Sequence, residues 1–289
     1  MTQFNINNQS FLEEEYRSGY LVSRLMKQVW ACELDLLNEF LRVCEKYKLK
    51  CWADSGTLIG TIRHKGFIPW DDDIDMVMLR EDYDKLVKIA PLEFKEPYFL
   101  QTIYSDYFCS HRHGQLHNIQ TAALPTNNYK KKCCQGIFID IFILDGYPNS
   151  VRTAFKHVKK VRLKKNLIKL SLILKKYIPR PLYKKCRFDL MFFRSYEKTL
   201  RQFNINNSDY LAYISLNLKE NIKNKDFYSQ TLYSDFEYIK IPIPIGYDNI
   251  LRIDFGDYMT PKKEPTMHGS MDYNVERSYK EILKELHHS

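Results

Sequence analysis

The sequence predicts an α+β protein with a basic helical insertion, and three observations carry that reading. Apolar residues recur at helical spacing over 21–47 (Val22, Leu25, Met26, Val29, Trp30, Leu36, Leu37, Phe40, Leu41, Cys44), which predicts one long amphipathic helix. Short β-branched and aromatic runs at 49–53, 74–78 and 136–144 read as buried strands. Residues 152–201 hold 17 Lys and Arg against only Asp189 and Glu197, a net +15 in a chain whose total is +9, so the remainder carries −6. Helix, strand, helix, strand, helix, then strands, then helices is an α+β order.

Residues 1–20 are polar and rich in Asn and Gln, and no element is assigned to them. After the first helix, 49–53 is a strand, Ser55-Gly56-Thr57 a turn and 57–64 a short helix, with Gly66 and Pro69 marking a loop. The strand at 74–78 leads into a helix over 80–90 that Pro91 should close. Strands are expected at 98–104 and 119–124. The run GIFIDIFIL over 136–144 is the strongest strand signal, apolar except for Asp140. Residues 152–201 read as helical with interruptions at Pro179 and Pro181, and 202–235 as polar and partly helical. Pro242 and Pro244 confine 239–245 to an edge strand or an extended segment. Short helices are expected at 248–255 and 277–286.

At 289 residues the chain is long enough for a substantial core. Its start lacks the basic and apolar regions of a signal peptide, and no apolar run approaches the roughly 20 residues of a spanning helix. Seven Cys with no Cys-x-x-Cys pair argue against a disulfide framework or a zinc site and for a reducing cytosol. A cytoplasmic protein is therefore expected.

The chemistry concentrates in 52–76. Asp71, Asp72, Asp73 and Asp75 place four carboxylates within five positions. On a strand Asp73 and Asp75 would face one way about 7 Å apart, and their mutual repulsion calls for a divalent cation. Mg2+ suits this, with Mn2+ as the alternative ion, since it takes carboxylate, phosphate and water oxygens. Asp140 is the third candidate ligand if its strand lies beside 74–78, because an unpaired charge in an apolar strand is costly. Asp71 and Asp72 read equally as helix caps or a solvated acidic turn. Ser55, Gly56 and Thr57 open a helix whose amides could cradle a phosphate. Arg63, His64 and Lys65 would neutralise further phosphate charge or form a solvated basic turn. Trp70 could stack on a base or ammonium, or pack in the core.

The run DSGTLIGTIRHKGFIPWDDDIDMVMLREDY over 54–83 resembles the signature of the LicD phosphotransferases, relatives of fukutin and fukutin-related protein. The resemblance continues around Asp140, in IPIGYDNIL over 243–251 and in FGDYM over 255–259, covering roughly 25–145 and 240–270. It implies a nucleotidyltransferase-like mixed β-sheet core flanked by helices. It also implies transfer of phosphocholine, or of another CDP-linked alcohol phosphate such as ribitol phosphate, to a sugar of a surface glycan such as lipopolysaccharide or capsule. Carried over, Ser55 and Gly56 match the loop, Asp73 and Asp75 the metal pair and Asp140 the third carboxylate. Two departures bear on substrate identity. Gln115-Leu116-His117-Asn118 stands where relatives often show Lys-Leu-Arg, so a basic contact would fall to His117. Residues 260–268 carry only His268 where relatives usually carry a His pair, which makes His268 a candidate phosphate donor.

The resulting expectation is a catalytic core over 21–150 and 236–275, a basic helical insertion or cap over 151–235 and a C-terminal helix over 276–289. The reaction expected is Mg2+-dependent transfer of a phospho-alcohol, phosphocholine first, from a CDP-alcohol donor to a glycan or lipid-linked glycan, releasing CMP. Asp140 would act as ligand or as proton acceptor. Nucleotidyl transfer is the alternative. Nucleic-acid binding through 152–201 stands third, since no nucleic-acid motif accompanies the charge. Interleaved Val161, Leu163, Leu167, Ile168, Leu170, Leu172, Ile173 and Leu174 let that segment lie on an anionic membrane at the inner face, or cap the site with a solvated basic face.

Overall fold

The computed structural model describes residues 9–127, 132–175, 177–179, 182, 187–213, 222–262 and 270–286. The chain divides into two units, Met1–Phe142 with Gln230–Ser289, and Ile143–Ser229. The architecture is mixed α+β.

In the first unit a 3-10 turn, Gln9–Leu12, precedes a hairpin of β1 (Glu15–Arg17) and β2 (Tyr20–Val22). The polar composition hid this hairpin. Its turn places Ser18 and Gly19 at positive φ (50° and 76°), the backbone twist that a tight hairpin needs. Helix α1 (Arg24–Lys46) starts at Ser23, whose hydroxyl accepts the Met26 N–H at 3.2 Å. Its apolar stripe, including Val29, Trp30, Leu34, Leu37 and Phe40, is wholly buried.

Strand β3 (Cys51–Ala53), helix α2 (Ser55–Arg63) and strand β4 (Asp75–Leu79) follow. Helix α3 (Arg80–Glu93) runs past Pro91 instead of closing there. The missing Pro91 N–H costs a single bond near the end, and the Phe94 N–H still reaches the Ala90 carbonyl at 2.9 Å. Strands β5 (Tyr98–Gln101), β6 (Gly114–Asn118), β7 (Ala122–Pro125) and β8 (Ile137–Tyr147) come next. Strand order in this unit is β3-β4-β8-β6-β5. Antiparallel registers set Ala53 against Met76, Gln115 against Asp140, and Phe99 against His117. Strand β6 was not expected: its residues GQLHN look like a loop, yet all five are buried.

After the second unit, β11 (Thr231–Phe236) and β12 (Ile239–Pro244) form a hairpin of their own, where Pro242 and Pro244 interrupt no wider sheet. Glu237, in its turn, accepts the Phe67 N–H at 3.0 Å and pairs with Arg17, clamping the loop after α2. Helix α6 (Tyr247–Phe255), strand β13 (Met271–Asn274) paired with β7, and helix α7 (Tyr279–Leu286) complete the unit.

The second unit holds the end of β8, helix α4 (Val151–Leu174), helix α5 (Phe188–Leu200) and strands β9 (Tyr210–Ala212) and β10 (Ile222–Asn224). Buried Ala154, His157, Val161, Ile168 and Ser171 line one face of α4, and Phe193, Tyr196 and Leu200 are buried on α5. Within 202–235, expected to be partly helical, the described part holds two short 3-10 helices, Ile205–Asn207 and Lys225–Tyr228, among strands. The Asn204 and Asn224 side chains accept the N–H groups of Asn206 (2.7 Å) and Asp226 (2.9 Å), local bonds that compete with helix. Among the described residues no helix is long and apolar enough to cross a membrane.

Candidate active site

The site is built where α2 begins. Asp54 ends the β3 segment, and its N–H donates to the Asp75 carbonyl at 3.0 Å. Ser55 then takes a left-handed backbone (φ 46°) that turns the chain sharply into the helix. The Asp54 side chain makes no capping bond to α2, and amides at a helix start, here those of Ser55, Gly56 and Thr57, favour an anion. Gly56 lets Asp71 approach closely: a Cβ there would stand 2.5 Å from Asp71 Oδ2, and that side chain would have to shift. Thr57 is buried, and its hydroxyl accepts the Asp75 N–H at 2.8 Å. Both backbone groups of Asp75 are therefore tied to the start of α2.

Asp73 lies just ahead of β4 rather than within it, so strand alternation does not set its direction relative to Asp75. The carboxylates of Asp71, Asp72 and Asp73 instead converge, with one oxygen of each within 4.8 Å of the others. Trp30 Nε1 donates to the Asp71 carbonyl at 3.0 Å, and the Tyr273 hydroxyl donates to Asp72 Oδ2 at 2.8 Å. Asp140 sits beside this run, its N–H donating to the Ile74 carbonyl at 2.8 Å. The register that sets Gln115 opposite Asp140 brings Gln115 Nε2 to 2.9 Å from Asp140 Oδ1, and His113 Nε2 lies 2.8 Å from the same oxygen.

The electrostatics follow from this crowding. Burial, then Asp73, Asp140, Asp54 and Asp71, push the Asp75 carboxyl well above the usual range. Glu33, on the buried face of α1, is pushed well up by burial and then by Asp73, Asp72, Asp71 and Asp75. Its Oε2 has no hydrogen-bond partner. Burial and Asp72 likewise raise the Tyr273 phenol. An all-oxygen set of acids with an orphaned buried carboxylate oxygen fits a hard divalent cation. Sequence reasoning missed Glu33, Asp54, His113 and Tyr273. The only signal for Glu33 was an acid on the apolar side of the first helix.

The remaining candidates are placed as follows. Arg63 ends α2, about 12 Å along the helix from Ser55. It donates to the Tyr258 carbonyl and, through Nε, to His64 Nε2 at 2.9 Å, and among the described residues no carboxylate pairs with it. Burial, then Arg63 and Arg17, lower His64, whose Nε2 accepts the Arg63 N–H. Half-buried Trp70 packs edge-on against Tyr20, ring centroids 6.1 Å apart. His117 is 2% exposed, with Nδ1 at 3.0 Å from the Gly136 carbonyl and Nε2 at 3.2 Å from Gln101 Oε1. It is an internal strut between β5, β6 and β8, which corrects its assignment as a substrate contact. His268 lies outside the described residues.

Residues 48–172 match the LicD/FKTN/FKRP nucleotidyltransferase domain. Lipopolysaccharide cholinephosphotransferase LicD of Haemophilus influenzae is 29% identical over 269 residues, spanning 88% of this chain and 97% of that protein. Over these residues the chain is similar to the LicD family. Shorter matches are to uncharacterised proteins of Rickettsia prowazekii (41% over 56 residues, 19% of this chain and 21% of that one) and Rickettsia typhi (39% over 61 residues, 21% and 19%).

Proposed function

We propose that this chain transfers phosphocholine from a CDP-linked donor to a sugar hydroxyl of lipopolysaccharide or a similar surface glycan, on a nucleotidyltransferase-like core. The observation that carries this reading is the approach of the α2 start to the carboxylate cluster, which Gly56 permits. A phosphate binder and a cation binder thereby share one place. The likeness to a lipopolysaccharide cholinephosphotransferase over most of both chains supports the substrate class.

In this scheme the sugar oxygen attacks the phosphorus that bears the alcohol, the bond to the bridging oxygen breaks, and CMP leaves with that oxygen. Mg2+ (or Mn2+) held by Asp73, Asp75 and Asp140 would screen the diphosphate charge and stabilise the leaving group. The amides of Ser55, Gly56 and Thr57 hold a donor phosphate. Arg63, at the other end of α2, is too far to grip the same phosphate and is assigned to a more distant anionic part of donor or acceptor. The Gln115 amide donates to Asp140 and orients that carboxylate, which would serve as metal ligand or take the proton of the sugar hydroxyl. Trp70 remains assigned to donor contact, and the basic segment 152–201 to peripheral contact with an anionic membrane where lipid-linked acceptors reside.

The test is turnover with CDP-choline, CDP-ethanolamine, CDP-glycerol and CDP-ribitol, with product analysis. CMP release, fastest with CDP-choline, is expected. Asp75→Asn should lower it by about 10²-fold or more with unchanged circular dichroism. Faster turnover of another donor would move the reading to that head group. Pyrophosphate release from a nucleoside triphosphate would favour nucleotidyl transfer, the chemistry named for the matching domain.

A further inference from the structure

Two parts of the chain far from the acidic run in sequence close on it, and the proposed reaction uses neither. One is the N-terminal hairpin, where Arg17 ends β1; the other is the turn between β11 and β12, where Glu237 stands. The Arg17 guanidinium grips the Glu237 carboxylate with two N–H groups, Nη2 to Oε2 at 2.8 Å and Nη1 to Oε1. Their side chains are 22% and 6% exposed, so the pair is sheltered from water. Glu237 in turn fixes the loop that leads into the acidic run. Its Oε1 accepts the Phe67 N–H at 3.0 Å, its own N–H donates to the Lys65 carbonyl at 2.7 Å, and a Cβ on Gly66 would collide with Oε1.

A second route from Arg17 reaches the same run through Trp30. The guanidinium lies over the Trp30 ring, 5.2 Å from its centroid, and Phe67 stacks on that ring at 4.5 Å with the planes 2° apart. Trp30 is fully buried, and its indole N–H holds the Asp71 carbonyl at 3.0 Å. The hairpin is itself anchored to α1. Lys27, 1% exposed, donates to Glu15 Oε1 at 2.6 Å and lies 4.0 Å from the centre of the Phe11 ring. We propose that Arg17 is a positioning residue for the acidic run, acting through Glu237 on the 65–67 backbone and through Trp30 on Asp71. Without the guanidinium, Glu237 is a buried carboxylate that has lost its cation; it turns toward water and releases the Phe67 N–H. The role rests on the proposed reaction only in taking the acidic run as its site.

The experiment pairs hydrogen exchange with turnover, both on the full chain. Arg17→Met and Glu237→Gln should each speed amide exchange over 65–75 by about tenfold or more and leave α3 unchanged. With CDP-choline, well below the melting temperature, each should lower kcat by about tenfold or more while KM moves by less than about threefold. The double variant should lose no more than the worse single one, because the two side chains act as a unit. Arg17→Lys keeps the charge and should recover part of the loss. Arg42→Met breaks an exposed pairing of the same helix with Glu39 and Glu93 and should change neither reading. Unchanged exchange over 65–75 in both single variants would overturn the proposal, as would additive losses or a kcat that falls only with the folded fraction. If wild type transfers no CDP-alcohol, the proposed reaction has failed and the exchange measurement alone decides the positioning role.

Discussion

Glu33 and His117 are opposite cases at the scale of single residues. Glu33 reads as one more polar position on an amphipathic helix, yet it is buried. His117 reads as a substrate ligand at a position of departure from the family pattern, yet both its nitrogens are spent inside the sheet. A third buried group, His157 on α4, carries a pH prediction. It is 3% exposed, neither ring nitrogen has a partner, and its ring packs edge-on against Phe203 at 4.8 Å. Burial holds it below 6.5, with Lys160 adding to the effect and Asp145 opposing it. A depressed folded value means that its contribution is present above pH 6.5 and is lost as pH falls through the folded value, because the unfolded chain takes the proton first. Melting curves between pH 7.5 and 5 should show wild type losing stability below pH 6.5. His157→Leu should be at least as stable at pH 7.5 and lose less on acidification. Parallel curves for the two would refute the assignment.

Elements decide which of these residues meet. Strand β8 was legible from its alternating β-branched run, and its place beside β4 is what makes Asp140 a neighbour of 74–75. Strand β6 was illegible because a strand buried on both faces among polar partners loses the apolar alternation on which sequence reading depends. With it went the pairing of Gln115 and His113 to Asp140. The tie between α2 and β4 includes the Thr57 hydroxyl, which accepts the Asp75 N–H. Thr57→Val keeps the volume but strands the Asp75 N–H. It should cost about 1–3 kcal/mol in chemical denaturation and lower transfer activity by more than the stability loss explains. Unchanged activity in a folded Thr57→Val protein would show that Asp75 does not need this anchor.

Charge is the property best read for the whole molecule. The net +15 of 152–201 against −6 elsewhere separates a basic segment from an acidic body. In the structure α4 exposes Phe155, Leu163, Leu170 and Ile173 among Lys159, Lys160, Arg162 and Lys169, a surface suited to an anionic bilayer. Flotation with vesicles should recover the protein with phosphatidylglycerol present and not with phosphatidylcholine alone. At about 1 kcal/mol per basic residue, Arg162→Glu with Lys169→Glu should weaken binding by about tenfold or more. Equal recovery with both lipids, or no change in the double variant, would exclude α4 as the contact.

By itself the sequence determined the α+β class, the long first helix, the central strand with its carboxylate, the resemblance to the LicD family and the acidic motif. These are local properties, set by side-chain periodicity and by short spacings along one stretch of chain. Only the tertiary structure decided which acids converge, that Glu33 is buried, that the Thr57 hydroxyl holds Asp75 and His117 is bonded inside the sheet, and that Arg63 stands a helix length from the start of α2. Those outcomes depend on register and burial, which arise when distant segments pack. The chain order of a charge does not reveal whether it meets water or another charge.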